Sequence, residues 1–225
     1  DGAMDPGQSA IDAMVSQGEG FQRAFEDFAS WCAEQQQCAL GDDPDDAVRA
    51  YQELTRPLVE QPVEAGNGRK LSFSDATTAT IQALYGPQLW PQLNTGLAEL
   101  QRGNGRILLG LADVYFGREP DGEYSNVTDA FDAVHCVDDQ RVMARSKMRE
   151  VDQRYRDAAP FLDNGYEANP AREACAFWPV PVTGDPDLPN VRGLPPTLVI
   201  SSTGDPATPY RAGVELASAL GGGLL

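Results

Sequence analysis

The sequence predicts a mostly α-helical protein, in which a helical lid or cap domain is attached to a partial α/β segment with one clear parallel strand and a following helix. Over most of residues 9–156, apolar side chains recur at three- and four-residue spacing, which is typical of amphipathic helices. Residues 197–200 instead form a short β-branched and aliphatic run. Such a run favours a strand that is buried on both faces of a parallel sheet.

The predicted helices follow one another along the chain. The first carries an apolar stripe from Ile11 to Cys32. Asp43 is expected to cap the second, with Pro44 at its first position, because acids and proline favour a helix start. After a turn at residues 66–68, Ser74 is expected to cap the third. Four more apolar segments follow, at residues 89–100, 107–116 (a buried helix), 130–136 and 142–156, the last with Val142 and Met143 facing inward.

The strand at residues 197–200 leads into Gly204 and Asp205, the place where open α/β sheets carry functional loops. Thr208 is expected to N-cap the next helix, which ends at residues 221–223. A single parallel strand would leave backbone groups without partners, and the helices lack the alternation with strands that a parallel sheet requires. A helical insertion in a larger α/β protein explains both. The expected segments are 1–8 (end of a core strand and turn), 9–180 (helical lid) and 181–225 (connector, strand and helix).

The formal net charge of −17 argues against a nucleic-acid partner, which requires clustered lysine and arginine. It fits a cationic partner or substrate, or simply an acidic surface that keeps the protein in solution. No apolar run approaches the roughly 20 residues of a membrane span, and no signal peptide is visible. We expect the chain to be a fragment or a processed form, because it starts without methionine.

The chain has four cysteines and one histidine, without a Cys-x-x-Cys pair, which disfavours zinc; we expect no metal and no cofactor. Two disulfides are the preferred interpretation, and four reduced buried thiols are the alternative. The expected pairs are Cys32 with Cys38 across a short polar loop, and Cys136 with Cys175 across a long one. Disulfides imply an oxidising compartment, so we expect a secreted or cell-envelope protein.

Three stretches resemble secreted serine α/β-hydrolases of the actinobacterial tripeptidyl-aminopeptidase type. Residues 1–6, Asp-Gly-Ala-Met-Asp-Pro, are similar to the turn that leads from the family's sheet into its lid. Residues 133–138, Ala-Val-His-Cys-Val-Asp, and residues 175–179, Cys-Ala-Phe-Trp-Pro, are similar to its paired cysteine segments. Residues 204–209, Gly-Asp-Pro-Ala-Thr-Pro, are similar to the loop that carries the acid of the catalytic triad.

The resemblance implies a triad in the order serine, acid, histidine, with the serine on a Gly-x-Ser-x-Gly turn. Asp205 matches the acid. The sequence contains no Gly-x-Ser-x-Gly, and its one histidine, His135, precedes Asp205. The chain is therefore expected to need the remainder of the hydrolase core and to be inactive by itself. Thr208 as a helix cap would leave Asp205 without a structural role.

An aminopeptidase needs anions that hold the substrate's α-ammonium, and Asp138 and Asp139 are the candidates; a solvated face is the alternative. Trp178 is a candidate pocket wall, although Trp178 and Phe177 are better explained as core. His135 is expected to be a packed neutral side chain, and Asp185 a loop residue.

The preferred hypothesis is part of a serine hydrolase that removes short peptides from N-termini, with a peptide or a small ester or amide as substrate. The alternative is a non-catalytic acidic helical domain that binds a peptide or a partner protein.

Overall fold

The computed structural model describes residues 2–184, 194–220 and 223–224. It confirms a mostly helical chain with a partial α/β segment. The helices are α1 (Ala10–Ala33), α2 (Ala47–Thr55), α3 (Phe73–Leu84), α4 (Trp90–Leu100), α5 (Arg106–Tyr115), α6 (Val127–Asp138), α7 (Arg145–Ala158) and α8 (Tyr210–Ala219). The strands are β1 (Val63–Gly66), β2 (Arg69–Leu71), β3 (Thr197–Leu198) and β4 (Gly223–Leu224). Among the described helices, none combines the length and the apolar character needed to cross a bilayer.

The chain forms two compact units. Unit 1 comprises Asp1–Gly20, Asp129–Ala158 and Ala168–Leu225, and unit 2 comprises Phe21–Thr128 and Ala159–Glu167. Each unit is thus built from segments that are distant in the sequence. The predicted division of the chain into a strand end (1–8), a lid (9–180) and a connector with strand and helix (181–225) remains a prediction.

Unit 2 has an aromatic core. Phe25 and Phe161 stack with their ring centroids 4.8 Å apart, and Tyr51 meets Phe25 edge-on at 5.2 Å. All three side chains, like that of Phe28, are fully buried. The Tyr51 hydroxyl and Thr80 Oγ1 lie 2.8 Å apart in a hydrogen bond, and burial raises the pKa of Tyr51. These two buried hydroxyl groups therefore satisfy each other inside the core.

Two local features of unit 2 differ from the sequence predictions. The turn at Asn67 and Gly68 joins two short antiparallel strands, β1 and β2, because both residues take the positive φ that tight hairpins require. The N-cap of α3 is Ser72 and not Ser74: Ser72 Oγ accepts from the Asp75 backbone, and the Asp75 carboxylate accepts from the Ser72 backbone. This reciprocal capping box outcompetes a cap two residues later.

The helix α5 is not buried throughout, since Val114 is 65% exposed and Tyr115 is 46% exposed. The helix α7 begins at Arg145, three residues later than predicted. Met143 therefore precedes the helix and is 53% exposed, which contradicts its predicted inward position. The predicted second helix begins as a 3₁₀ turn, in which Asp43 Oδ1 accepts from the Asp45 backbone.

In unit 1, β3 and β4 pair in parallel, with Thr197 opposite Gly223 and Leu198 opposite Leu224. Together with α8 they form a short β–α–β unit. The prediction that residues 197–200 are buried on both faces is wrong: Val199 is 7% exposed, but Leu198 and Ile200 are 66% and 67% exposed. Alternate side chains point to opposite faces of a strand, and the described chain covers only one of those faces.

Candidate active site

The loop after β3 places Asp205 on a tight turn in front of α8. Asp205 Oδ1 accepts hydrogen bonds from the backbone N–H groups of Ala207 and Thr208, both at 2.9 Å. Its Oδ2 accepts a hydrogen bond from the Thr208 hydroxyl at 2.7 Å. These donors fix the orientation of the carboxylate. Because a carboxylate offers about four acceptor positions, one position remains for a further donor.

The prediction that Thr208 caps α8 is wrong. The N-cap is Pro209, whose backbone is extended at ψ 141°, and it makes no side-chain cap bond. The Thr208 hydroxyl donates to the Asp205 carboxylate instead, since a charged acceptor forms the stronger hydrogen bond. Asp205 therefore does have a structural role, as the acceptor that holds this turn together.

The N-terminal half of α1 packs against the loop that carries Asp205. Gln17 Nε2 donates to the carbonyl oxygen of Ala207 at 2.9 Å. One turn later, a Cβ atom on Gly20 would lie 2.3 Å from the carbonyl oxygen of Pro206. Only glycine permits this approach, because real Cβ atoms do not come that close to a carbonyl. The apolar stripe of α1 carries no sequence signal for these two contacts.

Unit 1 also encloses a cavity of about 510 Å³, within the range of small-molecule sites. Part of its wall is formed by Ala207, Thr208 and Pro209, which directly follow Asp205 and Pro206. The rest of the wall comes from the segment before α1, the first two turns of α1, α6, the residues that follow α6, α7, residues 173–176 and Ala212 on α8. The cavity is thus adjacent to the acid-bearing loop.

The structure distinguishes Asp139 from Asp138, which the sequence analysis treats as equivalent candidates. Asp139 lines the cavity, whereas Asp138 is exposed and is not part of the wall. Trp178 is half-buried and does not line the cavity; its carbonyl oxygen accepts a hydrogen bond from Arg141 Nη1 at 2.9 Å. The prediction that Phe177 belongs to a core is wrong, because its ring is 65% exposed beneath the guanidinium of Arg172.

His135 lines the cavity and is not a packed core side chain. Its side chain is 44% exposed, and its Nδ1 lies 2.7 Å from Asp139 Oδ2. The contact arises because Asp139 directly follows α6, four residues after His135. The ring also stacks on Phe131, with centroids 5.6 Å apart. A proton on Nδ1 is donated to the carboxylate, which leaves Nε2 as the second polar atom of the ring.

Two crosslinks hold the segments around the cavity. A disulfide joins Cys136 on α6 to Cys175, which itself lines the cavity. The guanidinium of Arg141 donates to the carbonyl oxygens of Cys136, Trp178 and Val180. In unit 2, a second disulfide joins Cys32 to Cys38. The described chain has no free cysteine, which fits an oxidising compartment. Asp185 lies outside the described residues.

The chain is similar to one protein family and to several known proteins. Residues 159–225 match a family model described as TAP-like protein. The whole chain is 46% identical over 233 residues to "Serine protease Hip1" and 47% identical over 227 residues to "Carboxylesterase B", both of Mycobacterium tuberculosis. Over 202 residues, 87% of the chain, it is 26% identical to "Putative hydrolase YuaR" of Escherichia coli. The chain spans only 45%, 44% and 39% of these proteins, respectively.

Proposed function

We propose that the chain is the part of a TAP-like serine hydrolase that carries the helical lid and the acid of a Ser-His-Asp triad. The observation that supports this most is Asp205. It follows the strand of a parallel β–α–β unit, at the end where α/β enzymes place catalytic loops. Its carboxylate is held by three donors and retains one acceptor position.

In the proposed mechanism, the serine and the histidine come from parts of the protein outside these 225 residues. The histidine takes the proton of the serine as the serine attacks the substrate carbonyl, and it later protonates the leaving group. Asp205 accepts the hydrogen bond from the second ring nitrogen. It thereby fixes the tautomer of the imidazole and stabilises the imidazolium that forms, without being protonated itself.

The finer proposal is an exopeptidase that removes short peptides from N-termini, with the lid restricting access. Asp139 supports it, because it lines the cavity beside the acid-bearing loop and its carboxylate would attract a substrate's α-ammonium. Asp138 is the weaker candidate, since its side chain is exposed outside the wall. The disulfides favour a secreted or cell-envelope enzyme, in agreement with a compartment where such bonds persist.

The hydrolase proposal is tested by pre-steady-state kinetics of the full-length protein with a p-nitrophenyl ester and a peptide p-nitroanilide. A covalent acyl-enzyme predicts a burst of nitrophenol that is stoichiometric with protein, followed by slower turnover. Absence of both burst and turnover with intact folded protein would contradict the proposal and favour the non-catalytic peptide- or partner-binding domain.

The exopeptidase proposal is tested with a tripeptide substrate and its N-acetylated form. Wild-type kcat/KM should be at least about tenfold higher for the free N-terminus, because a charged hydrogen-bonded pair is worth about 1.5–3 kcal/mol. Asp139→Asn should abolish that preference, and Asp138→Asn is the matched control that should keep it. An unchanged preference in Asp139→Asn would remove Asp139 from this role.

A further inference from the structure

The cavity of unit 1 has a wall of apolar and acidic side chains. We propose that it binds an unbranched aliphatic chain that ends in an ammonium group, as in an alkylammonium ion or a peptide whose N-terminal residue has a long apolar side chain. This deepens the proposed function by naming a substrate class. The inference rests on the proposed function only where it makes this ligand a substrate, since binding itself requires no triad.

The apolar part of the wall is rich in methionine. Three of the chain's four methionines, Met4, Met14 and Met148, line the cavity. Met4 is 58% exposed and Met148 is 6% exposed, so that the methionine surface extends from solvent into the interior. Methionine is unbranched and polarizable, and it adapts its shape to flexible apolar ligands. A flexible aliphatic chain therefore matches this wall better than a rigid or polar group does.

The charged side chains on the wall favour an ammonium group at one end of the ligand. Asp5, Asp139 and Glu173 line the cavity. Arg141 is the one lysine or arginine among the described residues of the wall, and its guanidinium is directed at three backbone carbonyl oxygens. The carboxylates thus outnumber the cations, and the Arg141 charge is engaged by backbone acceptors. An ammonium group is attracted to such a surface and a carboxylate is repelled.

The volume is compatible with this occupant. A cavity of about 510 Å³ falls within the range of about 300–1,000 Å³ that small-molecule sites span. The cavity borders Ala207 and Thr208, whose backbone N–H groups hold Asp205. A chain bound here would therefore lie close to the acid-bearing loop.

The test is isothermal titration of the full-length protein with n-hexylammonium, n-butylammonium and heptanoate, whose alkyl chain matches that of n-hexylammonium. Loss of two methylene groups should weaken binding about 15-fold, because each buried methylene contributes about 0.8 kcal/mol. Heptanoate should bind at least about tenfold more weakly than n-hexylammonium. Equal affinities for the two head groups, the absence of a chain-length effect, or no binding of n-hexylammonium would each overturn the inference.

Variants locate the site. Ala13→Phe fills the cavity from α1 and should weaken n-hexylammonium binding at least tenfold; Ser16→Leu, also on the wall, serves if the first variant does not fold. Ala130→Phe changes an exposed alanine on α6 outside the wall and should bind like wild type. Wild-type affinity in both filling variants would contradict the inference. If the full-length protein gives a hydrolytic burst but its alkylammonium affinity does not depend on chain length, only the binding inference is contradicted. If n-hexylammonium binds but no burst occurs, only the proposed hydrolase function is contradicted.

Discussion

The two units of the chain differ in how completely they bury their own apolar side chains. In unit 2, Phe25, Phe161 and Tyr51 are fully buried against one another, and the hydroxyl of Tyr51 is hydrogen-bonded inside the core. In unit 1, the described part of the β–α–β segment leaves Leu198 and Ile200 about two thirds exposed. The first arrangement is a closed core. In the second, the described residues cover only one face of the strand.

From this difference we expect unit 1 to be the part of the chain that depends on further protein. Large apolar side chains exposed together mark surfaces that another element covers. The proposed remainder of the hydrolase core would supply that cover for β3 and α8. In unit 2, exposed apolar side chains such as Val114 and Tyr115 lie outside the aromatic core. The loop that carries Asp205 belongs to unit 1, whose β3 and α8 we expect to be covered by further protein.

The largest expected effect concerns the acid. Asp205→Asn in the full-length protein should lower kcat by about 10⁴, because loss of the triad acid leaves the histidine in the wrong tautomer. Asn retains an oxygen acceptor for the backbone donors of the turn, so the melting temperature should change little. Turnover is measured with the peptide p-nitroanilide and folding by circular dichroism. Near-wild-type turnover would remove Asp205 from the triad.

The core of unit 2 gives the next largest effect. Phe161→Ala should lower the free energy of unfolding by about 3–5 kcal/mol, because it leaves a cavity beside the stacked Phe25 ring. The measurement is urea denaturation. Phe177→Ala is the matched control in unit 1, where a ring that is 65% exposed should cost less than about 1 kcal/mol. Equal losses would contradict the contrast between the units.

Each unit contains one disulfide, and the two are expected to stabilise the chain by different amounts. Loop closure predicts about 3–4 kcal/mol for Cys136–Cys175, whose sequence separation is 39 residues, and about 2 kcal/mol for Cys32–Cys38, whose separation is 6 residues. The double alanine variants are compared by thermal and urea unfolding. A larger loss for the short loop would mean that local packing, and not loop closure, decides the contribution of each disulfide.

The smallest of these effects is one of positioning. Gly20→Ala should lower kcat/KM by about 10²-fold, since a Cβ at this position forces Pro206, and with it Asp205, out of place. Gly110→Ala is the matched control: an added Cβ there meets no atom within 4 Å, and alanine should stabilise α5 by about 0.5–1 kcal/mol. Unchanged kcat/KM in Gly20→Ala would show that α1 does not position the acid.

The sequence predicts the parts of this structure that depend on periodicity. The stripe from Ile11 to Cys32 indicates α1, and the aliphatic run at Thr197 indicates β3. Spacing and residue type determine these elements directly, because a helix and a strand expose different repeats. The hairpin around Asn67 was missed, since its two strands are too short to show alternation.

The candidate site is less predictable, because its contacts join distant segments. Nothing in the spacing of α1 indicates that Gln17 and Gly20 meet the loop after β3. The Thr208 hydroxyl could either cap α8 or donate to the Asp205 carboxylate, and residue type alone does not decide between these two hydrogen bonds. In the same way, only the fold distinguishes Asp139, on the cavity wall, from Asp138, in solvent.

Native-state hydrogen exchange tests the contrast between the units most directly, on the 225-residue chain and on the full-length protein. The account predicts that the amides of Tyr51 and Leu97 in unit 2 are equally protected in both. The amides of Ala207 and Thr208, which donate to Asp205, should be protected at least about tenfold more in the full-length protein, where the remainder of the core covers β3 and α8. Equal protection of Ala207 and Thr208 in the two proteins would contradict the claim that the acid-bearing unit is completed by protein outside this chain.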